Sequence, residues 1–291
     1  MVISNILGGL GNQMFQYAIG RAISLHTKQE LKLDILEFDS YDLRNYELDV
    51  FNIQGQIASN FEIEKIKYRQ VSFLKKIYYK IKKYDRPLSE KFYKEKFYYY
   101  DVDIARIKGD VYLFGYWQSE KYFDNCRDII SQDFTLKYPI SKQSNHFEKM
   151  IQERPSISLH IRRGDYVNNQ TTNSYHGICS LEYYKNTIQY MESKVDNPCF
   201  FIFSDDLRWA KENLDFIDNK VFIDLDDETP DHEEMYLMSQ CKHNIIANSS
   251  FSWWGAWLNQ NEEKIVVAPK QWFNDPAIDT GDLIPKSWIR L

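Results

Sequence analysis

Cysteine is scarce and follows no pattern. Cys126, Cys179, Cys199 and Cys241 are scattered over 291 positions without a single C-x-x-C. That excludes a zinc ribbon or a redox dithiol, and scattered thiols suit a reducing cytoplasm. The pair His232-Glu233 has no histidine at the position a zinc-protease helix requires, so metalloprotease chemistry is excluded. Long apolar runs are missing too. None approaches the roughly 18 residues that a membrane-spanning helix needs. No cationic stretch precedes the first apolar run, "VISNIL", so an ordinary secretory signal is not expected. Positive charge is in deficit, at a formal −6, which argues against a nucleic-acid partner.

The positive charge present is concentrated. Residues 65–96 carry 12 Lys/Arg against 3 Asp/Glu, a net of +9, so the remainder carries −15. Within the block, "KKIYYKIKK" interleaves lysine with aromatic and aliphatic residues. The alternatives are a solvated helix and peripheral contact with an anionic membrane, such as the inner face of a bacterial inner membrane. Aromatic residues make up 16% of the chain, with 21 tyrosines. Most are expected to fill the core, although a sugar-binding surface has the same composition.

The length accommodates two domains. "VISNIL" reads as a buried strand, and from Gln13 onward Met14, Tyr17, Ala18, Ala22 and Leu25 share one helical face. "ELKLDIL" follows as a second strand, so the chain opens as β-turn-α-β. Residues 60–100 are expected to be largely helical, "DVYLFGYWQ" a strand and "PISKQSNH" a polar linker. Beyond it "SISLHI", "CFFIFS", "KVFID", "HNIIA" and "KIVVAP" read as strands alternating with helices, and Ser180 reads as an N-cap. The expected division is 1–145 and 146–291, each half an α/β Rossmann-like domain.

In parallel sheets, ligands bind beyond the carboxyl ends of the strands. Here those positions hold "GGLGN", "HIRRGDY", "SDD" and "NSSFS". Together they offer backbone amides, guanidinium groups, carboxylates and hydroxyls, a set suited to a nucleoside diphosphate. Strand alternation puts His160 and Arg162 on one side and Arg163 on the other. Arg162 is therefore the expected phosphate ligand, because guanidinium binds phosphate bidentately and keeps its charge. Arg163 is expected to bridge to Asp165. Asp205 and Asp206 are weighed between gripping a guanine edge and capping a helix. Ser249, Ser250 and Ser252 open a helix, where amides and dipole favour an anion. The D-x-D within "DLDDE" reads as a solvated acidic loop.

Gly9 and Gly11 also begin a dinucleotide fingerprint, with Asp34 placed to serve a ribose. The third glycine position, however, is Met14, and methionine denies the close helix packing that the fingerprint requires. An NAD-type oxidoreductase would leave "HIRRGDY" and "NSSFSWWG" unexplained.

The ordered set "GGLGNQMFQYA", "GYWQSEKYF", "HIRRGDY", "HGICSLEYY", "FIFSDD" and "IIANSSFSWWGAWL" resembles the α-1,2-fucosyltransferases of glycosyltransferase family 11. The resemblance runs to about Lys270 and is thinnest over 60–100. It implies a GT-B-like fold of two Rossmann-like domains facing across a cleft, with acceptor on the N-terminal side and GDP-fucose on the C-terminal side. It implies GDP-β-L-fucose as donor, the 2-hydroxyl of a galactoside as acceptor, inversion at the anomeric carbon, and neither metal nor cofactor. Carried onto this sequence, Arg162 contacts the β-phosphate, His160 and Asp205 or Asp206 hold guanine, and Ser250 or Ser252 binds phosphate. Asn12 then lies near the fucose and the leaving oxygen, with Gly9 and Gly11 also binding the donor. Asp165 is a candidate proton acceptor, with a phosphate oxygen as the alternative. The acceptor is a galactoside or larger oligosaccharide, which lipid linkage would bring to the membrane. A non-catalytic sugar-binding protein on the same scaffold is the competing class.

Overall fold

Strands written as unbroken apolar runs must be covered on both faces, which is the condition of a parallel sheet flanked by helices. The computed structural model describes residues 1–39, 44–82, 84–164 and 177–291. It divides into two units, Met1–Lys137 and Tyr138–Leu291, each built on its own parallel sheet.

The first unit contains β1 (Val2–Asn5), α1 (Leu10–Thr27), β2 (Leu31–Asp34), β3 (Gln56–Ile57), α2 (Asn60–Lys67), α3 (Phe73–Lys82), β4 (Phe92–Lys94), β5 (Val111–Phe114) and α4 (Arg127–Asp133). Its strand order is β3-β2-β1-β5-β4. Val2 is in register with both Leu31 and Val111. The core takes in aromatic residues whose hydroxyls are satisfied: Tyr17 donates to Asp133 at 2.6 Å and Tyr112 to Asp34 at 2.6 Å. Buried hydroxyls without such partners would be costly.

The second unit contains α5 (Lys142–Gln152), β6 (Ser156–Ile161), α6 (Leu181–Glu192), β7 (Cys199–Ser204), α7 (Leu207–Asn213), β8 (Lys220–Phe222), α8 (Asp231–Gln240), β9 (His243–Ile245), α9 (Ser250–Leu258), β10 (Val266–Ala268) and β11 (Ile289–Arg290). The order is β11-β10-β9-β6-β7-β8. All six residues of β6 are buried. Ile157, Leu159 and Ile161 pack with Tyr183, Tyr184, Ile188 and Met191. The alternate positions face the other way, where the Ser158 hydroxyl accepts the Asn244 amide at 2.7 Å. On α9, Trp253, Trp254 and Trp257 are fully buried. A Cβ on Gly255 would come within 2.8 Å of the Met238 Cβ, so glycine is what lets α8 and α9 approach so closely.

The structure departs from the sequence expectations in three places. The units part between Lys137 and Tyr138 rather than at 145/146. The expected linker, 139–146, holds the start of α5: Ser141 caps that helix, and its N–H donates to both Glu233 oxygens at 3.1 and 3.0 Å. α5 therefore packs on α8 and belongs to the second unit. Residues 60–100 are not uniformly helical either, because β4 pairs with β5 there.

Candidate active site

Strand order locates the crevices. In the second unit the chain builds β6, β7 and β8 in one direction, then crosses β6 to add β9, β10 and β11 on its other side. The connections after β6 and β9 diverge at that switch point and leave a crevice beyond their carboxyl ends. The sequence places Arg162-Arg163-Gly164 after β6 and Asn248-Ser249 after β9, with α9 beginning at Ser250. "SDD" ends the neighbouring strand, β7.

The two arginines have different surroundings. Arg163 is fixed to its own unit: its guanidinium lies 4.1 Å from the Trp209 ring centroid, and its Nε is 3.7 Å from Asp206 Oδ2. Arg162 Nη1 lies 3.1 Å from Asp205 Oδ2, with both side chains partly exposed. Asp205 also accepts the Arg163 backbone N–H at 2.8 Å. Asp206 caps α7, accepting Trp209 N–H at 3.0 Å. Asp206 thus does what the capping expectation said, and Asp205 positions the arginine loop. The bridge expected between Arg163 and Asp165 involves a residue outside the described ones; among the described residues Arg163 approaches Asp206.

His160 is 4% exposed, and its Nδ1 is buried without a hydrogen-bond partner among the described residues. Its ring centroid lies 6.0 Å from that of Phe251, the second residue of α9. Burial, reinforced by the Arg162 charge, pushes its pKa down to about 3, so His160 is a neutral imidazole at physiological pH. Glu234, on α8, is the carboxylate that sequence reading passed over. Burial and the charges of Asp231 and Asp205 push its pKa up to about 7 against the pull of Arg162. Its neighbour Glu233 is the one that holds Ser141. "HEE" was tested in the sequence only as a zinc motif. The usable signal was an acidic residue one turn into a helix that packs against the serine-rich helix start.

The three serines also separate. Ser249 caps α9, accepting the Phe251 N–H at 3.3 Å, and Ser252 donates to the Ser249 carbonyl at 3.3 Å. Ser250, only partly buried, has no such local bond and stands in the first turn. Asn248 is structural, donating to the Gly177 and Trp272 carbonyls at 3.2 Å each. A cavity of about 230 Å³ lies beside them, lined by Gly177, Ser180, Asn248, Lys270 and Asn274 among others.

The first unit has its own switch point, at β1 between β2 and β5. Gly8 takes φ +79°, which turns the chain off β1 into α1. Gly9 occupies the N-cap position without a side-chain bond to the helix amides, and Gly11 is buried in the first turn. Gln13 fixes the loop by donating to the Gly8 and Asn45 carbonyls at 2.8 Å each and accepting Glu47 N–H at 2.9 Å. Asn12 Oδ1 accepts from Gln118 Nε2 at 2.8 Å. Gln118 follows Trp117, whose backbone sits at φ +58°. Glu95 clamps that turn: it accepts the Tyr116 and Trp117 N–H groups at 2.6 and 2.9 Å, and burial pushes its pKa up to about 7. Sequence reading missed this clamp too. Asp34, weighed for a ribose, is buried and instead accepts from Tyr112 and from Leu36 N–H at 3.1 Å. In the acidic loop, Asp224 pairs with Lys211 at 2.8 Å.

The pattern "Glycosyl transferase family 11" matches residues 1–291. An alpha-1,2-colitosyltransferase of Escherichia coli is 35% identical over 298 residues, covering 100% of this chain and 99% of that protein. The O-antigen biosynthesis glycosyltransferase WbnK of Escherichia coli is 35% identical over 310 residues, covering 99% of each. A Bos taurus galactoside 2-alpha-L-fucosyltransferase, SEC1, is 28% identical over 165 residues, 54% of this chain and 45% of that protein. Among solved structures, NodZ alpha-1,6-fucosyltransferase soaked with GDP-fucose aligns with TM-score 0.50 at 13% identity, covering 88% of this chain and 91% of that one. POFUT1 in complex with GDP-fucose aligns with TM-score 0.50 at 12% identity, covering 90% and 95%. Likeness at those identities is likeness of fold.

Proposed function

The chain belongs to glycosyl transferase family 11, and from that premise we propose that it transfers L-fucose from GDP-β-L-fucose to the 2-hydroxyl of a terminal β-galactoside, with inversion and without a metal. The observation that carries the reading is the β6/β9 switch point, where His160, Arg162, Asp205 and the start of α9 occur together in a whole-chain member of this family. The second unit is the donor side in this reading and the first the acceptor side.

Breaking the bond between the fucosyl carbon and the phosphate oxygen builds positive charge on the sugar and negative charge on GDP. Arg162, held by Asp205, supplies a fixed cation for the β-phosphate. The first-turn amides of α9 and the Ser250 hydroxyl supply neutral donors. Preoriented donors aimed at developing charge lower the barrier without reorganisation. The acceptor oxygen bonds the anomeric carbon from the opposite face, and its proton leaves to a carboxylate or to the departing phosphate. Asp165 is one such carboxylate by resemblance. Asn12 is assigned to the sugar, with Gln118 orienting its amide.

Guanine offers two N–H donors on one edge. Asp205 and Asp206 are already engaged by Arg162, Arg163 and Trp209, so the base-reading carboxylate is Glu234, acting with His160. Calorimetry with GDP, ADP and UDP tests this. GDP is expected to bind tightest, and Glu234→Gln to remove that preference while Asp206→Asn retains it. Equal binding of all three nucleotides would overturn the assignment.

The similarity to the colitosyltransferase favours one second reading, a colitosyl donor at the same site. Competition between the two GDP-sugars in one reaction decides between them. The acceptor is proposed to be an oligosaccharide, lipid-linked and presented at the cytoplasmic face of a membrane. No helix among the described residues is long and apolar enough to cross a membrane, so the proposed attachment is peripheral.

A further inference from the structure

α3 turns an apolar stripe towards solvent. Leu74, Ile77, Tyr78 and Ile81 stand at positions i, i+3, i+4 and i+7, which is one face of a helix. A core helix buries such a face. Here Leu74 is 77% exposed, Ile81 73% and Tyr78 50%, and Tyr84 just beyond is 60% exposed. The helix is held to its unit elsewhere on its circumference: Lys76 Nζ lies 2.9 Å from Glu64 of α2, and Arg86 Nη1 reaches the same carboxylate at 2.7 Å. The stripe is therefore left uncovered while the helix itself is anchored.

Charge identifies what covers it. At about 100° per residue, Lys75 and Lys82 border the stripe on one side and Lys80 on the other. Long lysine stems can lie along an apolar surface while their ammonium groups reach outward to anionic headgroups. A second copy of the chain would bring like charges together at both borders. The segment 65–96 is the +9 block of an otherwise −15 protein, so an anionic bilayer attracts this face and repels the remainder.

We propose that α3 is an interfacial membrane anchor. Leu74, Ile77, Tyr78 and Ile81 would enter the headgroup boundary of an anionic bilayer, with Lys75, Lys80 and Lys82 on lipid phosphates. This deepens the membrane contact of the preceding reading and is independent of its donor chemistry. It places the enzyme at the surface that carries a lipid-linked acceptor.

The test is co-sedimentation of the full chain with phosphatidylcholine vesicles, with and without phosphatidylglycerol. Binding is expected only to the anionic vesicles and should weaken with salt. Lys75→Gln/Lys80→Gln/Lys82→Gln is expected to weaken it about a hundredfold, and Leu74→Glu/Ile81→Glu to abolish it. None of these side chains is among the residues assigned to transfer, so activity on a soluble galactoside should be unchanged, which also shows that the variants fold. Equal binding to neutral and anionic vesicles would overturn the proposal, as would binding that neither variant alters. A dimer in sedimentation velocity that Leu74→Glu/Ile81→Glu dissociates, without vesicle binding, would assign the face to a second copy instead.

Discussion

Arg162 and Arg163 are adjacent in sequence, yet their guanidinium groups meet different carboxylates, Asp205 and Asp206. Both follow the end of β6, and Trp209 with Asp206 holds the second in place. Arg162→Lys should keep the fold and charge but lose the planar fork. A fall in kcat of about 10²–10³ is expected, the size seen when one preorganised donor to a developing anion is removed. Steady-state kinetics beside a melting curve separate that loss from unfolding. Glu234 predicts a pH dependence. In the proposed donor site its carboxylate must ionise to accept the guanine donors, so GDP affinity should fall up to tenfold per pH unit below about 7. Calorimetric titrations at several pH values check this, because the fall should be smaller in Glu234→Gln. His160 makes stability, rather than affinity, depend on pH. Its folded pKa is pushed down to about 3, against about 6.5 in an unfolded chain. The unfolded state therefore takes up a proton first, and stability falls as pH drops through that window, by up to about 1.4 kcal/mol per unit. Glu95 and Glu234, raised to about 7, gain stability as pH falls from 7 towards their unfolded values. The His160 contribution is thus read as the difference in denaturant midpoint between wild type and His160→Gln across pH 4–7. The burial of His160 was legible because it lies within β6, an apolar run covered on both faces. Glu95 and Glu234 were not, because an acid in an acidic sequence looks solvated until its neighbours are known.

Elements differ in how plainly their sequence announces them. "SISLHI" and "CFFIFS" have the boundaries of β6 and β7 because both faces are buried and the apolar run has sharp polar ends. β3 and β11 have two residues each and β4 three, and such short strands leave no periodicity to read. They exist because neighbouring strands offer unpaired edges. Lysine and tyrosine in 60–100 suggested helix throughout, whereas Phe92 stacks on Tyr112 at 5.5 Å and draws its segment into the sheet. The start of α5 was taken for linker because its first turn is polar, yet Glu233 lies too far along the chain for the sequence to reveal the contact. The α8–α9 packing carries its own prediction. Gly255→Ala adds a methyl group 2.8 Å from the Met238 Cβ. Such overpacking should cost about 1–3 kcal/mol, measurable by urea denaturation. Because α9 presents its first-turn amides to phosphate in the proposed donor site, GDP affinity should weaken with it.

On the scale of the whole molecule, composition excluded more than it specified. Two parallel-sheet units and a family match along the full chain agree with the fold that the ordered motifs implied. Neither strand pattern nor charge balance names a sugar, and the comparisons include both colitosyl and fucosyl transferases. The central claim is therefore chemical and is tested directly by a mass-resolved transfer reaction with GDP-fucose, lactose and EDTA, using wild type and Arg162→Ala. The account predicts a product heavier by one deoxyhexose, attached α to the galactose 2-hydroxyl by NMR, undiminished by EDTA and lost in the variant. A different linkage, a requirement for metal, or full activity without Arg162 would contradict it.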